Sequence, residues 1–142
     1  VAVVDRVAPA VTTSGVVGGV SLGFTAAIIA IFARAVITRR TVDTSAVLGV
    51  LSVYLLLALF FASLNQLLAA FDPGEYLNGV AGLPSAADQL YFSVITMATV
   101  GFGDITPAGQ VARAVTVVEA LAGQLYLVSV VAAVVGLWRR RT

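Results

Sequence analysis

The spacing of the charges leaves few folds open to this chain. Between Arg6 and Arg34 lie 27 uncharged residues, and between Asp43 and Asp72 lie 28. Between Arg113 and Arg139 lie 25 more, with Glu119 as the single charge among them. A helix needs roughly 20 apolar residues to cross the hydrocarbon core of a bilayer, and each interval holds one such run. The whole chain is 60% apolar and 11% charged, where a soluble domain is about 45–50% apolar and about 25% charged. An ordinary soluble globule and a disordered chain are both excluded, and a lipid bilayer is the expected surrounding.

The absences narrow the chemistry. The chain has no Cys and no His. That removes a disulfide framework, a thiolate metal site, the commonest general base and the physiological pH switch. No catalytic constellation, metal-ligand cluster or nucleotide-binding loop stands out, so neither an enzyme nor a nucleic-acid partner is expected.

The first apolar run, from Val16 to Ile37, is the weakest of the three. Its polar start, Thr12-Thr13-Ser14-Gly15, reads as flexible, and Gly18, Gly19 and Gly23 lower helix propensity. A signal peptide is the alternative, but that wants a basic start and a shorter apolar core. The second run, 46–71, is the clearest, and Asp72-Pro73-Gly74 stops it. Asn65 and Gln66 near its end read as packing between helices or as interfacial. The third, 111–138, ends on an interfacial Trp138 followed by Arg139-Arg140-Arg141.

The stretch from Asp72 to Gln110 differs. Inside it, Ala86 to Thr96 is apolar but only 11 residues long. That is too short to span and suits a re-entrant helix. Ser85 is placed to cap it, with Asp88 three residues on favourable to the helix dipole. Arg34, Arg39 and Arg40 lie between the first two runs, and Arg139 to Arg141 follow the third. Three crossings put both clusters on one side, which the positive-inside rule makes cytoplasmic. The re-entrant region then opens outside. Its Asp72, Glu75, Asp88, Asp104 and Arg113 sum to −3.

Directly after the short helix comes Thr96-Met97-Ala98-Thr99-Val100-Gly101-Phe102-Gly103-Asp104. This resembles the filter signature of potassium-channel pore domains, T-x-x-T-x-G-[YF]-G-D, at all six defined positions. The resemblance covers about Ala46 to Trp138. It implies an all-α membrane protein: a two-helix-plus-pore-loop channel domain with an additional N-terminal transmembrane helix. Residues 1–45 then hold the N-terminal span and a cytoplasmic loop. Residues 46–142 hold the pore domain, with outer helix 46–71, pore helix 86–97, filter 99–104 and inner helix 111–138.

The physics explains the residue types. A dehydrated cation needs oxygens in place of its water shell, and carbonyls supply them only when all turn toward one axis. A strand alternates them, whereas Gly101 and Gly103 allow the positive φ angles that turn them one way. By resemblance, the ion-binding filter is Thr99, Val100, Gly101, Phe102 and Gly103, potassium is held by the carbonyls of Thr99, Val100, Gly101 and Phe102, and the Thr99 hydroxyl closes the inner site. Val100 and Phe102 point outward and pack as a cuff. Thr96 supports the filter, and Asp104 braces it from behind at the outer mouth. The C-terminal end of the short helix favours a cation at mid-membrane.

Phe102 stands where Tyr is more common, so a hydroxyl anchor is lost. The family's usual aromatic pair in the pore helix is not evident either, with Tyr91 and Phe92 the only aromatics there. Gly123 resembles the hinge of the inner helix, and close helix contact is the alternative. Glu119, an acid within a span, is read as a structural bond to the pore helix or as part of permeation, and Gln124 is a candidate for the cavity. One filter segment per chain implies a homotetramer. No cofactor is expected beyond permeant potassium, and the location is the cell membrane, multi-pass, with the filter mouth outside and the C-terminus cytoplasmic.

Overall fold

Each apolar run forms a helix. The computed structural model describes residues 4–37, 44–71 and 76–138. The helices are α1 (Val4–Ile37), α2 (Thr44–Phe71), α3 (Ala86–Met97) and α4 (Gln110–Trp138), with two short strands, β1 (Leu77–Asn78) and β2 (Thr106–Pro107). Among the described residues, Leu48–Phe71 and Gln110–Ala132 are long and apolar enough to cross a membrane. The described apolar stretch of α1, Gly15–Ile31, is shorter. The architecture is that of an all-α membrane protein: two long helices, a short helix between them and an extra N-terminal helix. Asp43, Asp72-Pro73-Gly74, Glu75, Arg39, Arg40 and Arg139 to Arg141 lie outside the described residues.

The start of α1 departs from the sequence reading. Thr12 to Gly15 do not interrupt it, and the helix runs unbroken from Val4. Two of its glycines, Gly15 and Gly18, serve packing. A Cβ on Gly18 would come within 2.9 Å of the Leu67 backbone nitrogen, and one on Gly15 within 3.3 Å of the Ala70 Cβ. Small residues let two helix backbones approach closely, which offsets their poor propensity. The α1–α2 face is accordingly the most extensive helix contact in the molecule.

The short helix α3 packs against both α2 and α4. Two apolar clusters hold it. The outer one joins Ala69, Tyr76, Leu77, Phe92, Ile105 and Ala112, and the inner one joins Ala58, Phe61 and Met97. Between them lies a polar layer of Asn65, Ser93 and Glu119, all fully buried. The excursion between the long helices is tied at its base: β1 and β2 pair antiparallel, with Leu77 opposite Pro107 and Asn78 opposite Thr106. The Ala108 N–H adds a 3.1 Å bond to the Tyr76 carbonyl.

Candidate functional site

The site grows from both ends of α3. At its start, the Ser85 hydroxyl accepts from the Asp88 N–H at 3.2 Å, and the Ser85 N–H donates to the Asp88 carboxylate at 2.9 Å. This reciprocal capping satisfies two otherwise orphaned donors. The Ser85 bonds hold the Asp88 carboxyl below its ordinary range.

At its end, α3 closes in a Schellman arrangement. Ala98 is the C-cap. The Thr99 N–H donates to the Thr96 carbonyl at 3.0 Å, and the Val100 N–H to the Ile95 carbonyl at 2.9 Å. This closure puts the residue after the cap in left-handed backbone, where glycine is usual. Here it is Thr99, with φ +55°. Thr99 is the sole non-glycine at positive φ among the described residues, and Gly101 and Gly103 follow at +50° and +82°. Left-handed residues thus alternate with ordinary ones from 99 to 103. A left-handed β-branched residue is strained by roughly 1–3 kcal/mol, and such strain concentrates at functional sites.

Beyond the alternation, the segment is fastened at Asp104. The Tyr91 hydroxyl donates to the Asp104 carboxylate at 2.7 Å, and this bond holds the carboxyl below its ordinary range. Helix α3 thereby supplies a phenolic hydroxyl that Phe102 does not, while Phe92 is buried in the outer cluster. A side chain on Gly79, at φ +90°, would overlap the Asp104 carbonyl, so the loop before α3 runs directly against the segment's outer end. Val100 and Phe102 remain exposed within the single chain.

Behind α3, Asn65 is a hub. Its amide donates to Ser93 Oγ at 3.3 Å and to Glu119 Oε2 at 3.2 Å, and it accepts from the Tyr76 hydroxyl at 2.8 Å. One side chain therefore links α2, the outer loop, α3 and α4. Burial, and then the Glu119 charge, push the Tyr76 phenol well up. Glu119 thus bonds to α2 through Asn65 and interacts with Ser93 on α3. Gly123 is buried, and a Cβ there would come within 2.8 Å of the Met97 carbonyl oxygen. Close helix contact accounts for a glycine at this position. The next residue, Gln124, donates from Nε2 to Thr99 Oγ1 at 3.3 Å. Thr96 is half-buried and acts through its carbonyl.

Residues 49–139 match a protein family described as ion channel. The chain belongs to this ion channel family. It is a membrane channel chain and not an enzyme. Protein LctB of Bacillus caldotenax is 34% identical over 93 residues, covering 62% of this chain and 69% of that protein. Two pore potassium channel c of Oryza sativa subsp. japonica is 35% identical over 74 residues, which is 52% of this chain and 16% of the rice protein. The chain spans a small fraction of that plant relative's length.

Three features of the site are absent from the sequence reading: the left-handed Thr99, the Tyr91–Asp104 bond and the part of Asn65 and Tyr76 behind α3. The last had a signal. Asn65, Ser93 and Glu119 are isolated polar residues in three separate apolar runs, and polar groups in hydrocarbon seek one another.

Proposed function

We propose that four copies of the chain surround one axis and conduct potassium passively. The backbone carbonyls of Thr99, Val100, Gly101 and Phe102, with the Thr99 hydroxyl, replace the water shell of the ion. The observation that carries this reading is the alternation of left-handed residues at Thr99, Gly101 and Gly103, the backbone pattern that turns successive carbonyls one way. The exposed Val100 and Phe102, and the exposed Val117, Val118, Leu121, Leu125 and Val128 on α4, supply the apolar surface that neighbouring copies cover. The rice relative, a two pore potassium channel, supports potassium as the permeant ion.

In this reading residues 1–45 form an appended segment with a first span, and residues 46–142 form the pore domain. Asp104 faces the outer mouth and braces the filter with Thr96. Glu119 acts structurally, and no cofactor beyond the permeant ion takes part. The membrane is the cell membrane, with the C-terminus cytoplasmic. A second reading is a weakly selective cation pore, favoured by the missing hydroxyl at Phe102.

Purified protein in liposomes tests both. Under opposed potassium and sodium gradients the reversal potential should follow potassium. A potential indifferent to the potassium gradient overturns the first reading and leaves the second. Light-scattering mass of the detergent complex should equal four chains, and a monomer or dimer defeats the assembly.

A further inference from the structure

We infer that Gln124 is a positioning residue for the innermost ion site, holding the Thr99 hydroxyl so that one oxygen lone pair is left for the ion. This rests on reading Thr99 to Gly103 as a conducting filter.

The reach is set by packing. Met97 is fully buried, and a Cβ on Gly123 would lie 2.8 Å from its carbonyl oxygen and 3.0 Å from its Cα. At this level α4 and the last turn of α3 are in backbone contact. The residue that follows the contact on α4 is Gln124, and the residue two beyond Met97 is Thr99. A side chain with a terminal amide bridges what remains, and the Gln124 Nε2 donates to Thr99 Oγ1 at 3.3 Å.

The chemistry depends on which groups are engaged. A threonine hydroxyl oxygen has two lone pairs. The Gln124 N–H occupies one and leaves the other for a cation. An amide donor does this without adding charge beside a permeant ion. The backbone makes the contact consequential: Thr99 is held at φ +55° by its N–H bond to Thr96 and by the Val100 bond to Ile95. Strained conformations persist where surrounding contacts over-determine them. The two helix-end bonds fix the Thr99 backbone, and Gln124 fixes its side chain from the neighbouring helix. A shift of α4 thus changes the innermost site directly.

The test uses the full chain in liposomes, with potassium flux and its block by barium, a divalent cation close to potassium in size. Two substitutions are compared. Gln124→Met keeps length and volume but removes the donor. Gln124→Asn keeps the amide but is one methylene too short to span the gap. Both should assemble with the parent's mass and still prefer potassium over sodium. In both, the half-blocking barium concentration should rise about tenfold, as for the loss of one hydrogen bond near the ion. The rubidium-to-potassium permeability ratio should shift with it, a readout that a purely structural residue leaves unmoved.

A parent that does not distinguish potassium from sodium fails the filter reading itself, before any variant is compared. With a selective parent, variants that match it within twofold overturn the inference. So does an Asn variant like the parent beside a shifted Met variant, because cavity polarity alone then explains the effect. Variants that lose the parent's assembled mass also overturn it, since Gln124 is then a folding residue.

Discussion

The back of α3 and the segment that leaves its end are built on opposite terms. Behind α3, Gln89 and Ser93 are buried, Phe92 and Met97 pack against α2 and α4, and the Asn65 hub ties three helices and the outer loop together. Ahead of it, Val100 and Phe102 lie open, at 51% and 71% exposure, far above what an enclosed cuff leaves. The segment is held at its ends, by the helix-end closure at Thr99 and by Tyr91 and Gly79 at Asp104. A single chain thus completes its scaffold but not the enclosure of residues 99–104. Irregular backbone at membrane depth is tolerated only inside protein or along a cavity, so the proposed tetramer would use this open side for its neighbouring copies. Function and stability should therefore separate under mutation.

The largest effect is expected where conformation matters and packing does not. Gly101 has open space around its absent Cβ, but its φ of +50° costs an alanine about 1–2 kcal/mol. Gly101→Ala should abolish selective potassium flux in liposomes while lowering the thermal melting of the detergent-solubilised protein by only a few degrees, less than the loss of the Asn65 hub does. Potassium flux like the parent's would break the comparison, because the filter would then not need its alternation.

The hub should behave the other way round. Asn65→Leu removes the partner of three buried polar groups, Ser93, Glu119 and the Tyr76 hydroxyl, at an expected cost of about 2–4 kcal/mol. Thermal melting should fall by several degrees, and assembled protein should be recovered in lower yield. Protein that melts with the parent would show that the polar layer carries little of the scaffold.

Gly123→Ala should be milder. The new methyl meets the Met97 carbonyl at 2.8 Å, and backbone must shift to admit it, costing about 1–3 kcal/mol. An unchanged melting temperature would mean that the α3–α4 contact yields easily, and close packing would no longer explain the glycine.

What the sequence disclosed follows the same division. The helices, the re-entrant position of Ala86 to Met97 and the Ser85 cap are written in local pattern: charge gaps, length and a capping residue with its partner three positions on. Gly101 and Gly103 are legible because only glycine takes positive φ at no cost. Thr99 is not, since its left-handed backbone comes from the closure of the preceding helix, and its residue type argues against it. The straight start of α1 is also hidden. Gly15 and Gly18 weaken a lone helix, and their value appears only once Ala70 and Leu67 are beside them. The hub joins residues up to 54 positions apart, and no local periodicity encodes such a meeting.

The smallest effect is expected at the outer fastening, and pH reveals it. The Tyr91 hydroxyl holds the Asp104 carboxyl below its ordinary value, which is about 3.9. A depressed carboxyl contributes fully above its ordinary value, and the contribution is lost as pH falls through the lowered one. The fastening should therefore be intact at neutral pH and fail only in acid below about 3.9. Asp88 is depressed by its own cap, so Asp88→Asn is the control that removes its share of the acid response. On that background, Tyr91→Phe deletes one hydroxyl from an exposed ring and leaves the ring in place. Flux at pH 7 should change less than twofold, because Asp104 stays ionised and the Gly79 contact remains. The acid limb of the flux profile should move up toward the ordinary carboxylate value. Identical acid limbs in variant and parent would mean that the Tyr91 bond does not hold the filter, and the segment would then be fastened at its inner end alone.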